Sequence, residues 1–176
     1  PLIRAMFCRM RLGVLDIGSN TVHLLVANAE PGGRPLATTS EKSTLRLMRY
    51  LTPDGSISDE GVELIIAAVR RAKAVAEKEN VSELLATATS AIREATNGPE
   101  VIALIEQAIE QQLQVLGGSE EARFTFLAVR RWFGWSAGQI LLFDIGGGSL
   151  EIAGGADELP QLAESVPLGA GRMTVE

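Results

Sequence analysis

Two stretches of this chain share one design, and that repetition constrains the fold more than any other feature. Leu12-Gly13-Val14-Leu15-Asp16-Ile17-Gly18-Ser19-Asn20-Thr21 and Ile140-Leu141-Leu142-Phe143-Asp144-Ile145-Gly146-Gly147-Gly148-Ser149 each run as an apolar strand that ends in Asp-Ile-Gly. A loop of small residues follows in both, then a second apolar run, residues 22–26 in the first copy and 150–153 in the second. Two strand-loop-strand hairpins this far apart are what a duplicated, two-lobed architecture shows. The second copy stops early, with the sequence ending at Glu176.

Between the copies, helices alternate with strands. Ser58 is placed to cap a helix in which Val62, Ile65, Val69, Ala72 and Ala76 recur at helical spacing. Residues 84–89 read as a strand, after which Ser90 caps a brief helical turn through Arg93 and Glu94. Asn97-Gly98-Pro99 opens a second long helix, because proline at its start gives up an amide that has no partner there. Val101, Ile105, Ala108 and Ile109 form its buried stripe. A short strand at 114–116 leads through Gly117-Gly118 to Ser119, the expected cap of a third helix bearing Phe124, Leu127, Ala128 and Trp132. With a further strand at 36–44, the pattern predicts α/β layers with a mixed sheet.

Phe133-Gly134-Trp135-Ser136-Ala137-Gly138 is rich in turn-forming residues, and the composition changes after it. Residues 138–176 carry six acids against Arg172 alone. The expected division is therefore a disordered extension at 1–10, a first domain at 11–137, and the opening strands of a second domain at 138–176. A single cysteine, Cys8, and a single histidine, His23, exclude a disulfide framework and a His-rich zinc site. The net charge of -6 argues against non-specific nucleic-acid binding. With no apolar run of membrane-spanning length and no secretory signal, a cytoplasmic protein without a membrane partner is expected.

The loops carry the chemistry. Gly18-Ser19-Asn20-Thr21 offers unobstructed backbone N–H groups, two hydroxyls and an amide, all suited to phosphate oxygens. Asp16, just before the loop, would repel phosphate, so its uses are to hold a divalent cation, often through water, or to orient a water. An Asp-x-Gly turn can also close a hairpin with no ligand at all. Duplication weighs against that, as do three consecutive glycines in the second loop, each costing about 0.5–1 kcal/mol relative to alanine.

These residues resemble the exopolyphosphatase and guanosine pentaphosphate phosphohydrolase family, within the superfamily of sugar kinases, actin and heat-shock ATPases. The resemblance runs from residue 11 to residue 172. Asp16-Ile17-Gly18-Ser19-Asn20-Thr21 looks like the family's first phosphate motif and Ala88-Thr89-Ser90-Ala91-Ile92-Arg93-Glu94-Ala95 like its second block. Gly118-Ser119-Glu120-Glu121-Ala122-Arg123 is similar to the segment with the catalytic glutamate, and Asp144-Ile145-Gly146-Gly147-Gly148-Ser149-Leu150-Glu151 to the second phosphate motif.

The resemblance implies an actin-like, ribonuclease H-like α/β fold with helices flanking a mixed sheet. It makes Glu121 the general base for an attacking water, and turns Arg93 toward the substrate phosphates. Asp144, Glu151 and Asp16 become the carboxylates that hold Mg²⁺, directly or through water. Gly18, Ser19, Asn20, Thr21, Gly146, Gly147, Gly148 and Ser149 contact phosphate. The implied reaction is Mg²⁺-dependent release of the terminal phosphate of inorganic polyphosphate or guanosine pentaphosphate, in a full-length homodimer. A non-catalytic polyphosphate- or alarmone-binding module is the alternative, and a kinase a third.

Each residue also has a plainer role open to it. Glu120 and Glu121 fall in a first helical turn, where acids suit the helix dipole. Arg93 can be a surface arginine, Glu151 an exposed strand position, and His23 a half-buried strand side chain. Trp132, Phe133 and Trp135 are expected to pack at the domain junction, and Arg130 and Arg131 to form a solvated helix face. The chain reads as a fragment, with 1–9 a start-site extension or vector-derived sequence. Strands within 140–166 then lack covering helices and expose an apolar face, so that the tail is mobile or pairs with a second copy.

Overall fold

The computed structural model describes residues 10–30 and 33–174. β1 (Met10–Ile17) and β2 (Thr21–Ala29) form the first hairpin, and β3 (Leu36–Thr44) pairs antiparallel with β2. β4 (Glu83–Ala88) and β5 (Gln114–Val115) extend the other side in parallel, giving the order β3-β2-β1-β4-β5. A parallel neighbour needs a crossover, and α1 (Asp59–Lys78) supplies it. Ser58 caps α1 as expected, its hydroxyl accepting the Gly61 N–H at 3.3 Å.

Alternation along the strands decides where the core lies. Leu15 and Ile17 of β1 and Val22, Leu24 and Val26 of β2 point to one face and are buried there. Ile65, Ala68, Val69 and Ala72 of α1 and Val101, Ile105 and Ile109 of α3 (Gly98–Ile109) cover them. Each large aliphatic side chain buried in this way contributes about 1.5–3 kcal/mol. Met10 pairs with Ala29 inside β1, so residue 10 belongs to the sheet and not to an extension. Residues 1–9 lie outside the described residues.

Two expected caps are corrected. The short α2 (Ser90–Glu94) has Thr89 at its N-cap, while Ser90 lies inside it with its hydroxyl 3.0 Å from that of Ser19. α4 (Gly118–Phe133) starts after Gly117, whose N–H donates to the Glu120 carboxylate at 2.9 Å. A glutamate at the third helical position reaches back to the cap amide, so Ser119 is not needed for it.

The second sheet is an antiparallel meander of β6 (Ile140–Ile145), β7 (Leu150–Gly155) and β8 (Leu162–Val166). α4 packs on this sheet, its Ala122 and Phe126 against Ala153. The division in packing therefore falls near Gly117, earlier than residue 137. The turn-rich stretch at 133–138 instead joins α4 to β6, with Gly134 and Gly138 at φ 75° and 61°.

The buried face of α4 is not the one expected. Phe124, Trp132, Phe133 and Trp135 are exposed, whereas Arg130, expected in solvent, is 1 % exposed. Its guanidinium donates to the Gly138 and Gly155 carbonyls at 2.7 and 2.9 Å. Those carbonyls need donors and the small residues of β7 leave room for a long side chain. Arg131 does stay outside, paired with Glu158 at 2.6 Å. The face of the second sheet opposite α4 exposes Leu141, Phe143 and Ile145, as expected for that side alone. A short α5 (Ala170–Met173) closes the described chain, and no helix among the described residues is long and apolar enough to cross a membrane.

Candidate functional site

The two hairpins close in the same way. Gly18 N–H donates to the Thr21 carbonyl and Gly146 N–H to the Ser149 carbonyl, both at 2.9 Å. Registers match too, with Asp16 opposite His23 in one hairpin and Asp144 opposite Glu151 in the other. Thr87 and Thr125 donate to Asp16 and Asp144 respectively, both at 3.4 Å. None of the loop glycines has a positive φ, so turn geometry is not why they are there. Close approach is the reason. A Cβ on Gly147 would lie 2.7 Å from Asn20 Oδ1, and one on Gly148 would lie 2.8 Å from Ser90 Oγ and 3.1 Å from Ser19 Oγ.

The loops face a cavity of about 730 Å³. Gly18, Ser19, Asn20, Thr21, Gly146, Gly147 and Ser149 line it, together with Asp16, Asp144 and Glu121. Gly148 sits behind them, against Ser19, Ser90 and Met48. Lys42, Thr89, Ser90 and Thr125 also line the cavity and were not singled out from the sequence as site residues. Thr89 and Ser90 lie in a block already marked by its motif. Lys42 had no signal of its own, because it reaches the cavity through the register that sets it opposite His23.

Glu121 is the most perturbed group. Burial first, then the charges of Glu151, Asp16 and Asp144, push its pKa up to about 7, with Arg93 opposing. The Arg93 guanidinium stands 3.7 Å from Glu121 Oε2, too far for a hydrogen bond, and that oxygen is buried without a hydrogen-bond partner. Arg93 itself donates to the Leu116 carbonyl at 2.6 Å and to Glu94 at 3.3 Å. It borders the neighbouring cavity, beside Glu94 and Ser119. Asp16 is also raised, by burial, with Thr87 and His23 opposing and Asp144 adding to the rise. Glu151 is 1 % exposed and accepts a hydrogen bond from Ser165 at 2.8 Å, so it lies behind the cavity wall. His23 is half-buried with Nε2 2.8 Å from Ser40 Oγ. Among the described residues, no three of His, Cys, Asp and Glu converge as a ready set of metal ligands.

A mixed sheet with flanking helices, and paired Asp-Ile-Gly hairpins facing one cavity, define a protein of the actin-like class. Similar folds occur in solved structures of low identity, such as a type IV pilus PilM-PilN complex (TM-score 0.58, 12 % identity). More narrowly, the model of the Ppx/GppA phosphatase family matches residues 25–176, and the chain belongs to that family. It is 51 % identical over 167 residues to Exopolyphosphatase 1 of Mycobacterium bovis, covering 95 % of this chain and 48 % of the relative. Exopolyphosphatase 1 of Mycobacterium leprae is 50 % identical, with 95 % and 49 % covered. The crystal structure of an exopolyphosphatase from Cytophaga hutchinsonii superposes with a TM-score of 0.87 at 28 % identity, covering 94 % of this chain and 53 % of that one. The Aquifex aeolicus member of the family gives 0.78 at 25 %, with 94 % and 54 % covered. The chain thus spans about half the length of the curated relatives it matches.

Proposed function

We propose that this chain forms the phosphate-gripping and water-activating part of a hydrolase that removes the terminal phosphate of inorganic polyphosphate. The observation that carries the reading is Glu121, a carboxylate raised to about 7 on the wall of the cavity that both loops face. A group titrating near neutrality can take a proton from water at working pH and return it. Water oxygen bonds to the terminal phosphorus, its proton passes to Glu121, and the bond to the bridging oxygen breaks with the charge leaving on the shortened chain. Loop amides and the Ser19, Thr21 and Ser149 hydroxyls would orient the phosphate oxygens for in-line attack. Guanosine pentaphosphate ends in the same kind of anhydride and is the second substrate such a site would admit.

Mg²⁺ suits the donor set in one mode. This ion usually binds through one or two carboxylates plus water and phosphate, without a protein cage. Asp16 and Asp144 both face the cavity and would be those carboxylates, while Glu151 lies behind its wall and acts by its charge on Glu121. The charge of Asp144 raises Asp16, and that repulsion supports a cation between the two aspartates. When bound, Mg²⁺ would neutralise phosphate oxygens. The test is phosphate release from long-chain polyphosphate and from guanosine pentaphosphate, with Mg²⁺ and with chelator, comparing the chain with Glu121→Gln. Turnover that needs Mg²⁺ and is lost in the variant supports the hydrolase. Binding without turnover would replace it with a binding module, and neither binding nor turnover would refute both.

A further inference from the structure

The cavity between the loops is poor in positive charge. Among the described residues, Lys42 is its one basic lining residue, against Asp16, Glu121 and Asp144. Amides and hydroxyls can hold a terminal phosphate there, but the rest of a polyanion must run where cations outnumber carboxylates. Of the further cavities that adjoin the loops and their flanks, two carry basic side chains among the described residues. One, of about 450 Å³, has Arg93 on its wall but also Glu94 and Glu164, and Arg93 is already engaged by Glu94 and the Leu116 carbonyl. The other, of about 360 Å³, has Asn20, Thr44, Arg46 and Arg49 on its wall and, among the described residues, no acidic side chain. Neither the Arg46 nor the Arg49 side chain has a hydrogen-bond or ion-pair partner among the described residues.

Arg46 is held in place by unusual backbone. It lies in the left-handed region at φ 60° and ψ 53°, a conformation that costs a non-glycine residue about 1–2 kcal/mol. There the Leu45 and Arg46 amides both donate to the Asn20 carbonyl, at 2.7 and 3.2 Å, and the Leu47 amide donates to the Ser19 carbonyl at 2.8 Å. The chain wraps the first loop and sets Arg46 beside Asn20, which lines both this cavity and the one between the loops. A strained position whose side chain has no partner among the described residues fits a residue kept for a ligand.

We infer that the cavity between Arg46 and Arg49 is a second anion subsite, taking the distal phosphates of a linear polyanion whose terminal phosphate lies between the two loops. The inference rests on the polyphosphate reading and adds to it a preference for longer chains. Calorimetric binding of long-chain polyphosphate and of pyrophosphate tests it, on the wild-type chain, Arg46→Asn, Arg49→Gln and the double variant. Asparagine tolerates the left-handed backbone, and Arg49→Gln leaves that backbone untouched. A control, Arg70→Gln with Lys78→Gln, removes two exposed charges on α1. The double variant is expected to lose about tenfold more affinity for the long chain than for pyrophosphate, each single variant less, and the control neither. Equal losses for both ligands, no loss, or the same loss in the control would overturn the subsite and leave the proposed function standing. A wild-type chain that binds neither ligand would overturn both.

Discussion

The two hairpins use the same backbone and opposite side-chain strategies. Each ends its first strand in an aspartate held by a threonine, and each closes its loop with the same 2.9 Å turn bond. The first loop then presents Ser19, Asn20 and Thr21, whereas the second presents glycines. Their contact explains the difference, because the side chains of the first loop occupy the space that side chains on the second would need. Opposite the aspartates the pairing also diverges, a histidine in one hairpin and a buried glutamate in the other. A duplicated element can thus keep its hydrogen bonding while its copies divide the chemistry, one supplying polar groups and the other room and negative charge.

Removing the Glu121 carboxylate should have the largest effect of any change where the two loops meet. If the proposed hydrolysis operates, Glu121→Gln lowers phosphate release by about 10²–10⁴-fold with little change in polyphosphate binding, as steady-state rates and calorimetry would show. An equal loss in both would make Glu121 a binding residue. Next comes a direct contrast of the loops. Gly148→Ala should cost about 1–3 kcal/mol in urea unfolding, since its methyl meets two buried serine hydroxyls. Gly18→Ala, whose methyl would find its nearest neighbour at 3.5 Å, should cost no more than about 0.5 kcal/mol. Equal costs would show that the loops do not interlock.

The third prediction concerns pH. Glu121 holds its proton more tightly folded than unfolded, so the stability tied to it is complete below its ordinary value of 4.5 and is lost as pH rises to about 7. Without divalent cations, Glu121→Gln should escape that loss and gain about 1–2 kcal/mol over the wild type above pH 7, after allowing for partial solvent screening. A gain that is flat with pH would contradict the raised pKa. Smallest is His23→Glu, which gives the first hairpin the carboxylate pair of the second. It should destabilise by about 0.2–1 kcal/mol at neutral pH and recover when Asp16 is changed to Asn.

Much of this was legible because it is local. The hairpins, the strand at 36–44, the Ser58 cap and the proline that opens α3 follow from alternation, helical spacing and the absence of an amide on proline. The caps at Ser90 and Ser119 were misread because the same residue types serve other ends, Ser90 toward Ser19 and Glu120 toward Gly117. Most of the cavity lining came from the two loop motifs. Lys42 did not, since a strand register is settled between segments and not within one.

The sequence by itself determined the α/β class, the duplicated hairpins and the residue types at the loops, since each depends on neighbours a few positions away. Tertiary structure alone decided that α4 turns Arg130 inward and Trp132 outward, that Gly148 lies behind the cavity wall, and that Glu121 is raised. Those outcomes depend on unpaired carbonyls, on the space between loops and on charges brought together from distant parts of the chain. Energies of that kind exist only once the segments have met.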